Sequence, residues 1–265
     1  MPRKVMLGDL SWKEFKRRSK DVRVAIIPTG ATEQHGPHLP MQQDTASALA
    51  VARRVAERLY PGVIVTPPIS VGVSTHHMSF PGTLSLAPGT FIRVVVDTCR
   101  SLFHHGIRNV LILNGHGGNV AALGVAGRIF RDEFPDANLW VVSYWEVIPR
   151  KTSAKLLKTK NFPGHSGEFE TSIGLAIHPE LVDRKFRVRP AKDSDMRPID
   201  PYRILNFDEF TETGMDPLSA DTIAASATKG EKLLGAAVEG VREIITQRIL
   251  KEPSWRIKKS PQSSR

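Results

Sequence analysis

The 265-residue chain has a single cysteine, Cys99, which excludes an intrachain disulfide and a cysteine-built zinc module. No apolar run approaches the roughly 18–20 residues that a membrane span needs. The N-terminal stretch MPRKVMLGDLSWKEFKRRSK lacks the apolar core of a signal peptide. Glycine and proline, at 20 and 19, are too few for a collagen-like or low-complexity chain, and no internal repeat or clear linker interrupts the sequence. These absences predict a globular cytoplasmic protein. An apolar content of 40% supports a sizeable core.

Acidic residues are also in deficit. Lys and Arg number 37 against 27 Asp and Glu, a net charge of +10, which points first to nucleic acid or another anionic partner. The excess is confined to the ends: residues 1–23 and 248–265 each carry a net +5, and the 224 residues between them are neutral. No RNP, zinc-finger or helix-turn-helix signature supports a nucleic-acid role. The expected organisation is one catalytic domain over residues 1–247 followed by a basic tail, 248–265.

Four β-rich runs stand out, VRVAIIP (22–28), GVIVTPPI (62–69), NVLILN (109–114) and NLWVVSYW (138–145). Continuous apolar runs of this kind suit strands buried on both faces of a parallel sheet. Helical apolar spacing marks residues 45–60, 90–106 and 120–134, and a long helix is expected within 219–250. The alternation predicts an α/β fold with helices on both faces. Segment 183–218, polar and broken by prolines, reads as an excursion from it. In such sheets, ligands bind beyond the carboxyl ends of the strands.

The loops at those ends hold the chemistry. After the first run comes TGATEQHGPHLPMQQD, in which Glu33 and His35, two apart, share a face of an extended segment. Asp44 follows at a helix start, where the dipole favours its ionised form, although taken alone it reads as a helix cap. After the third run comes NGHGGN, which surrounds His116 with Gly115, Gly117 and Gly118. A tight turn with positive φ explains one of these glycines, whereas close backbone approach to a ligand explains three. HSGEFETS adds His165, Glu168 and Glu170, and His76 and His77 precede the FPGT turn.

Imidazoles and carboxylates from separate segments suit a mixed nitrogen–oxygen site for zinc or manganese. An excess of carboxylates suits two ions about 3.5–4 Å apart that share a hydroxide. With no catalytic-looking Ser or Cys, the expected nucleophile is metal-bound water. Cys99 and the helix-end His104 and His105 read as structural, Trp145 as packing more than pocket lining, and His38 and His178 have no identifiable partner.

The set GATEQHGPHLPMQQD, SxxHxxFPGTLSL (Ser74 to Leu86), LNGHGGN and HSGEFETS, in this order, resembles the creatininase family of metal-dependent amidohydrolases. The resemblance runs from about residue 6 to about 247. It implies a three-layer α/β/α sandwich with a mostly parallel central sheet, a small-molecule amide substrate, two divalent ions per subunit (Zn²⁺, Mn²⁺ or Fe²⁺) and assembly as a homo-oligomer, often a hexamer. It implies Glu33, His35, Asp44, His116 and Glu170 as metal ligands, with Asp44 bridging, and His165 as the catalytic histidine. Gly117, Gly118, His77 and Glu168 are the candidate substrate-binding residues. Creatinine-hydrolysing members carry a glutamate two residues after the NGH histidine, where this chain has Gly118. That departure weakens the case for creatinine itself. The NGHGGN form resembles instead a formylaminopyrimidine deformylase and the mycofactocin-precursor peptidase. The expected reaction is hydrolysis of a cyclic or linear non-peptide C–N bond by a metal-bridged hydroxide, with the deformylase or peptidase as alternative on the same site and nucleic-acid binding as the competing class.

Overall fold

Strand residues alternate between two faces, and here both faces are apolar. In the computed structural model, which describes residues 3–159, 162–186 and 222–251, the strands are β1 (Val24–Thr29), β2 (Val63–Val65), β3 (Asn109–Asn114) and β4 (Asn138–Ser143). They form one parallel sheet in the order β2-β1-β3-β4, with β1 and β3 in register from Ala25–Val110 to Thr29–Asn114.

Val24, Ile26, Val63, Val65, Leu111 and Leu113 pack on one side, with apolar residues of α2 (Gln43–Arg58), α6 (Glu168–Ile177) and α7 (Ala227–Ile244). Ala25, Ile27, Ile64, Val110 and Ile112 pack on the other, with α3 (Pro88–His104) and α4 (Val120–Glu133). The pleat alone sorts the strand residues into these two cores. Each buried Val, Leu or Ile contributes about 1.5–3 kcal/mol. The result is the expected three-layer α/β/α fold.

The strands depart from the sequence reading in two places. β2 holds only three residues, because Pro67 and Pro68 have no N–H for a ladder. The chain nevertheless stays beside β1, with Ile69 N–H donating to the Pro28 carbonyl. β4 is not buried on both faces: it is the sheet edge among the described residues, and Val141 is 41% exposed. The other edge is covered, since Val65 N–H donates to the Val5 carbonyl.

Two further helices are α1 (Trp12–Arg18) and α5 (Arg150–Leu156). A capping box starts α1: the Ser11 hydroxyl accepts from Glu14 N–H and the Glu14 carboxylate accepts from Ser11 N–H. The S-x-x-E signal is present in the sequence but lies in a stretch dominated by charge. The long C-terminal helix starts at Ala227, capped by Ser226, and passes through a π turn at Ile245–Ile249. Residues 219–221 of the expected helix, most of the 183–218 excursion and residues 252–265 of the expected tail lie outside the described residues.

Candidate metal centre and active site

The loops leaving β1 and β3 meet at the carboxyl edge of the sheet. Two asparagines bind them together. Asn114 accepts from the Thr29 hydroxyl and donates to the His116 carbonyl, while Asn119 donates to the Gly30 carbonyl and accepts from Val73 N–H. Both bracket the NGHGGN loop, and sequence reasoning passed over them for the histidine between.

Gly115 and Gly118 serve close approach of backbone to backbone, not turn geometry, whereas a Cβ at Gly117 would meet nothing within 4 Å. Positive φ occurs at Gly36, Gly82, Gly106 and Gly164 but not at Gly115, Gly117 or Gly118. A Cβ at Gly115 would lie 2.3 Å from the Asp44 carbonyl oxygen, and one at Gly118 would lie 2.2 Å from that of Val73.

Asp44 enters from the first turn of α2. It does not cap the helix, whose N-cap is Gln42. Its side chain turns inward, Oδ1 lying 2.9 Å from His35 Nε2 and Oδ2 2.9 Å from His116 Nδ1. Glu33 Oε1 is 3.3 Å from the same His116 nitrogen, and Glu170 Oε2 is 3.8 Å from His35 Nε2. All five residues predicted as ligands therefore converge, with Asp44 at the centre.

The far side of each imidazole is tied to a carbonyl, His35 Nδ1 to that of Glu33 at 3.2 Å and His116 Nε2 to that of Val73 at 2.9 Å. Metal-ligating histidines use this arrangement: one N–H is fixed by an acceptor and the other nitrogen is aimed at the ion. Glu33 Oε2 is buried without a hydrogen-bond partner, and Asp44 Oδ2 meets only the His116 nitrogen. A buried carboxylate oxygen so placed calls for a cation.

The protein alone meets this demand with protons. Burial disfavours a charged His35, but Asp44, Glu170 and Glu33 outweigh it and raise its pKa to about 10. The Asp44 and Glu33 carboxylates raise His116 in the same way. Glu33 is lowered to about 2 by His116 and His35 against the cost of its burial. Burial, aided by Asp44 and Glu33, lifts Glu170 to about 7. Divalent cations displacing the imidazole protons would satisfy the same carboxylates.

His165 stands beside this cluster, its ring 4.6 Å from His35 and 4.8 Å from His77. Burial and the charge on His35 lower it to about 3, and burial lowers His77 to about 4, so both rings are neutral at pH 7. Gln34 links them. Its amide nitrogen lies 3.0 Å from His77 Nδ1 and 2.9 Å from His165 Nε2, while its amide oxygen accepts from Gly36 N–H. Gln34 lies between Glu33 and His35 in sequence, but only the fold brings the two histidines to it. The His165 turn is held in unusual backbone: Gly164 has φ 65° and Ser166 φ 54°. Ser166 N–H donates to Glu170 Oε2 at 2.6 Å.

A cavity of about 230 Å³ opens over these groups, lined in part by Gly117, Gly118, His77, Trp145 and His165. Trp145 both lines it and packs against the α2/α7 core. Glu168 is a correction. It is fully buried away from the cavity, accepts from Lys158 and Thr159 N–H and pairs with Lys229. Two residues along α6, about 200° of rotation, place Glu168 and Glu170 on different faces. His38 and His178 also have partners, the Thr171 hydroxyl at 2.8 Å and the Gln43 amide oxygen at 2.9 Å.

Fold and site together define a metal-binding hydrolase. The creatininase model, described as creatinine amidohydrolase, matches residues 8–245. The chain is 34% identical to a creatinine amidohydrolase of Pseudomonas putida over 93% of its own length and 98% of that protein. It is 32% identical to a mycofactocin precursor peptide peptidase of Mycolicibacterium smegmatis, over 84% and 85% of the two chains. A crystal structure of creatininase superposes with a TM-score of 0.79 at 32% identity, covering 95% of this chain and all of that one. Solved creatininases include a Zn–Zn type and a manganese form. The chain belongs to the creatininase family. As a member it is a hydrolase of carbon–nitrogen bonds, and nucleic-acid binding as its main role finds no support.

Proposed function

We propose that the protein hydrolyses a small, non-peptide cyclic or linear amide at a centre built from Glu33, His35, Asp44, His116 and Glu170. The observation that carries this is the paired, carbonyl-oriented His35 and His116 converging on a shared Asp44. In this reading Glu33, Asp44 and His116 would hold one divalent ion and His35, Asp44 and Glu170 the other, with Asp44 shared between them. Zn²⁺, Mn²⁺ and Fe²⁺ all suit such a donor set. Two ions, when bound, supply Lewis acidity toward the scissile carbonyl and an activated water.

His165, neutral at pH 7, accepts the proton of the attacking water and returns it to the leaving nitrogen. Gln34 orients its ring. His77 and the bare backbone at Gly117 and Gly118 bind the substrate's polar atoms, and Trp145 covers its apolar side. The small cavity favours a compact substrate. The peptidase relative keeps a peptide C–N bond as the second reading, and a formamide as the third.

The single catalytic domain spans 1–247 in this proposal, with 248–265 as its tail. No helix among the described residues is long and apolar enough to cross a membrane, in keeping with a cytoplasmic enzyme. Val120, Val125 and Ile129 of α4 and Val141 of β4 are exposed apolar residues, which suits a homo-oligomer, a hexamer by family likeness.

The test is a screen of metal-loaded protein against cyclic amides, formamides and short peptides, following amine, formate or amino-acid release. Exhaustive chelation and His35→Ala are each expected to abolish turnover, the latter with loss of bound metal. Full activity after chelation would falsify the proposal.

A further inference from the structure

Two histidines stand side by side in the turn Thr75–His77, and only His77 has been given a task. The ring of its neighbour lies 4.4 Å away, on the side toward His116. The His76 ring is parallel to that of His116, with centroids 5.7 Å apart and planes within 7°. One donor atom each of Glu33, His76 and His116 lie within 4.8 Å of one another. His76 is half-buried and lines the same cavity.

Space for the ring comes from Gly118. A Cβ there would be 2.9 Å from His76 Cε1 and 2.5 Å from His116 Nε2. A larger residue would push either ring aside. The missing side chain and the neighbouring imidazole thus form one local arrangement beside Glu33, whose Oε2 is buried without a hydrogen bond.

We propose that His76 is a further protein donor to the ion held by Glu33, Asp44 and His116, and that it biases this position toward zinc. The inference rests on the dinuclear reading above. With His76, one position has two imidazoles and two carboxylates, while the other, held by His35, Asp44 and Glu170, has one imidazole and two carboxylates. Added imidazole favours zinc and similar borderline metals, whereas an oxygen-rich shell suits manganese and magnesium. The two positions therefore differ in metal preference.

The experiment uses the full chain, stripped of metal and titrated with Zn²⁺ and separately with Mn²⁺ against a chromophoric chelator. The Co²⁺-loaded protein is followed by its visible absorption. Wild type is compared with His76→Ala, His76→Asn and, as a reference for a lost ligand, His116→Ala. Wild type is expected to take up two zinc ions. Both His76 variants are expected to weaken one of them by about tenfold or more, to leave the second unchanged, to alter the cobalt spectrum and to change manganese binding less. The metal-free variants should melt with wild type, and the asparagine variant serves if alanine impairs folding. Unchanged zinc affinities with an unchanged cobalt spectrum overturn the role of His76 alone. Equal weakening of both ions also overturns it. A wild-type protein that binds no zinc overturns the dinuclear reading as well.

Discussion

At the residue scale, the chemistry divides between charged and neutral imidazoles. His35 and His116 touch carboxylates closely and hold protons when no metal is bound, whereas burial outweighs the nearby Glu33 at His165 and His77 and keeps them neutral. Zinc binding at pH 7 is therefore expected to release protons from His35 and His116. Calorimetry in buffers of different ionisation enthalpy measures this, and buffer-independent heats would contradict it. Metal-free protein is also expected to lose stability between pH 7 and pH 10. His35 keeps its proton to about 10 when folded, while in the unfolded chain an ordinary imidazole is already neutral above 6.5, so the stabilisation present at low pH disappears as pH rises through the folded value. Denaturation of stripped protein at pH 7, 8.5 and 10 checks the direction. For His165→Asn, kcat is expected to fall by about 10²–10⁴-fold with two metals still bound. Loss of metal together with activity would instead make His165 a ligand.

At the element scale, α6 joins the site to the core. Glu170 points to the centre, while Glu168 points to α7 and pairs with Lys229. Lys229→Met leaves that buried carboxylate without its cation and is expected to cost about 3–5 kcal/mol in urea denaturation. An unchanged midpoint would show that the backbone N–H groups of Lys158 and Thr159 suffice. The same two helices touch at Gly230, where a Cβ would meet the Ser172 carbonyl oxygen at 2.0 Å. Gly230→Ala is expected to cost about 1–3 kcal/mol by overpacking, and separation of α6 from α7 should lower metal affinity with it.

At the scale of the whole molecule, the ions of the proposed centre would link the loops after β1 and β3 to α6, three segments far apart in sequence. Metal binding to the folded chain alone raises stability by about 2.7 kcal/mol at a hundredfold excess over Kd. A rise in melting temperature with zinc concentration is expected, and its absence in His35→Ala would trace the effect to this centre. The N-terminal share of the net charge of +10 takes no part in the site. It lies in and around α1, away from the cavity-lining residues.

The sequence by itself determined the layered α/β class and named the candidate ligands. Apolar runs alternating with helical spacing can bury their surfaces only in a layered α/β sheet, and motifs that place His35 two residues from Glu33, or glycines around His116, act within a few residues of chain. The tertiary structure alone decided how those residues meet. Gln34 bridges histidines that lie 43 and 131 residues away. Glu168 and Glu170 part company by helix phase, β4 becomes an edge because nothing among the described residues pairs beyond it, and His76 faces His116 because Gly118 leaves room. Local pattern reports which groups a segment offers and on which face. Orientation toward a distant partner depends on close packing of the whole fold, and no window of sequence contains it.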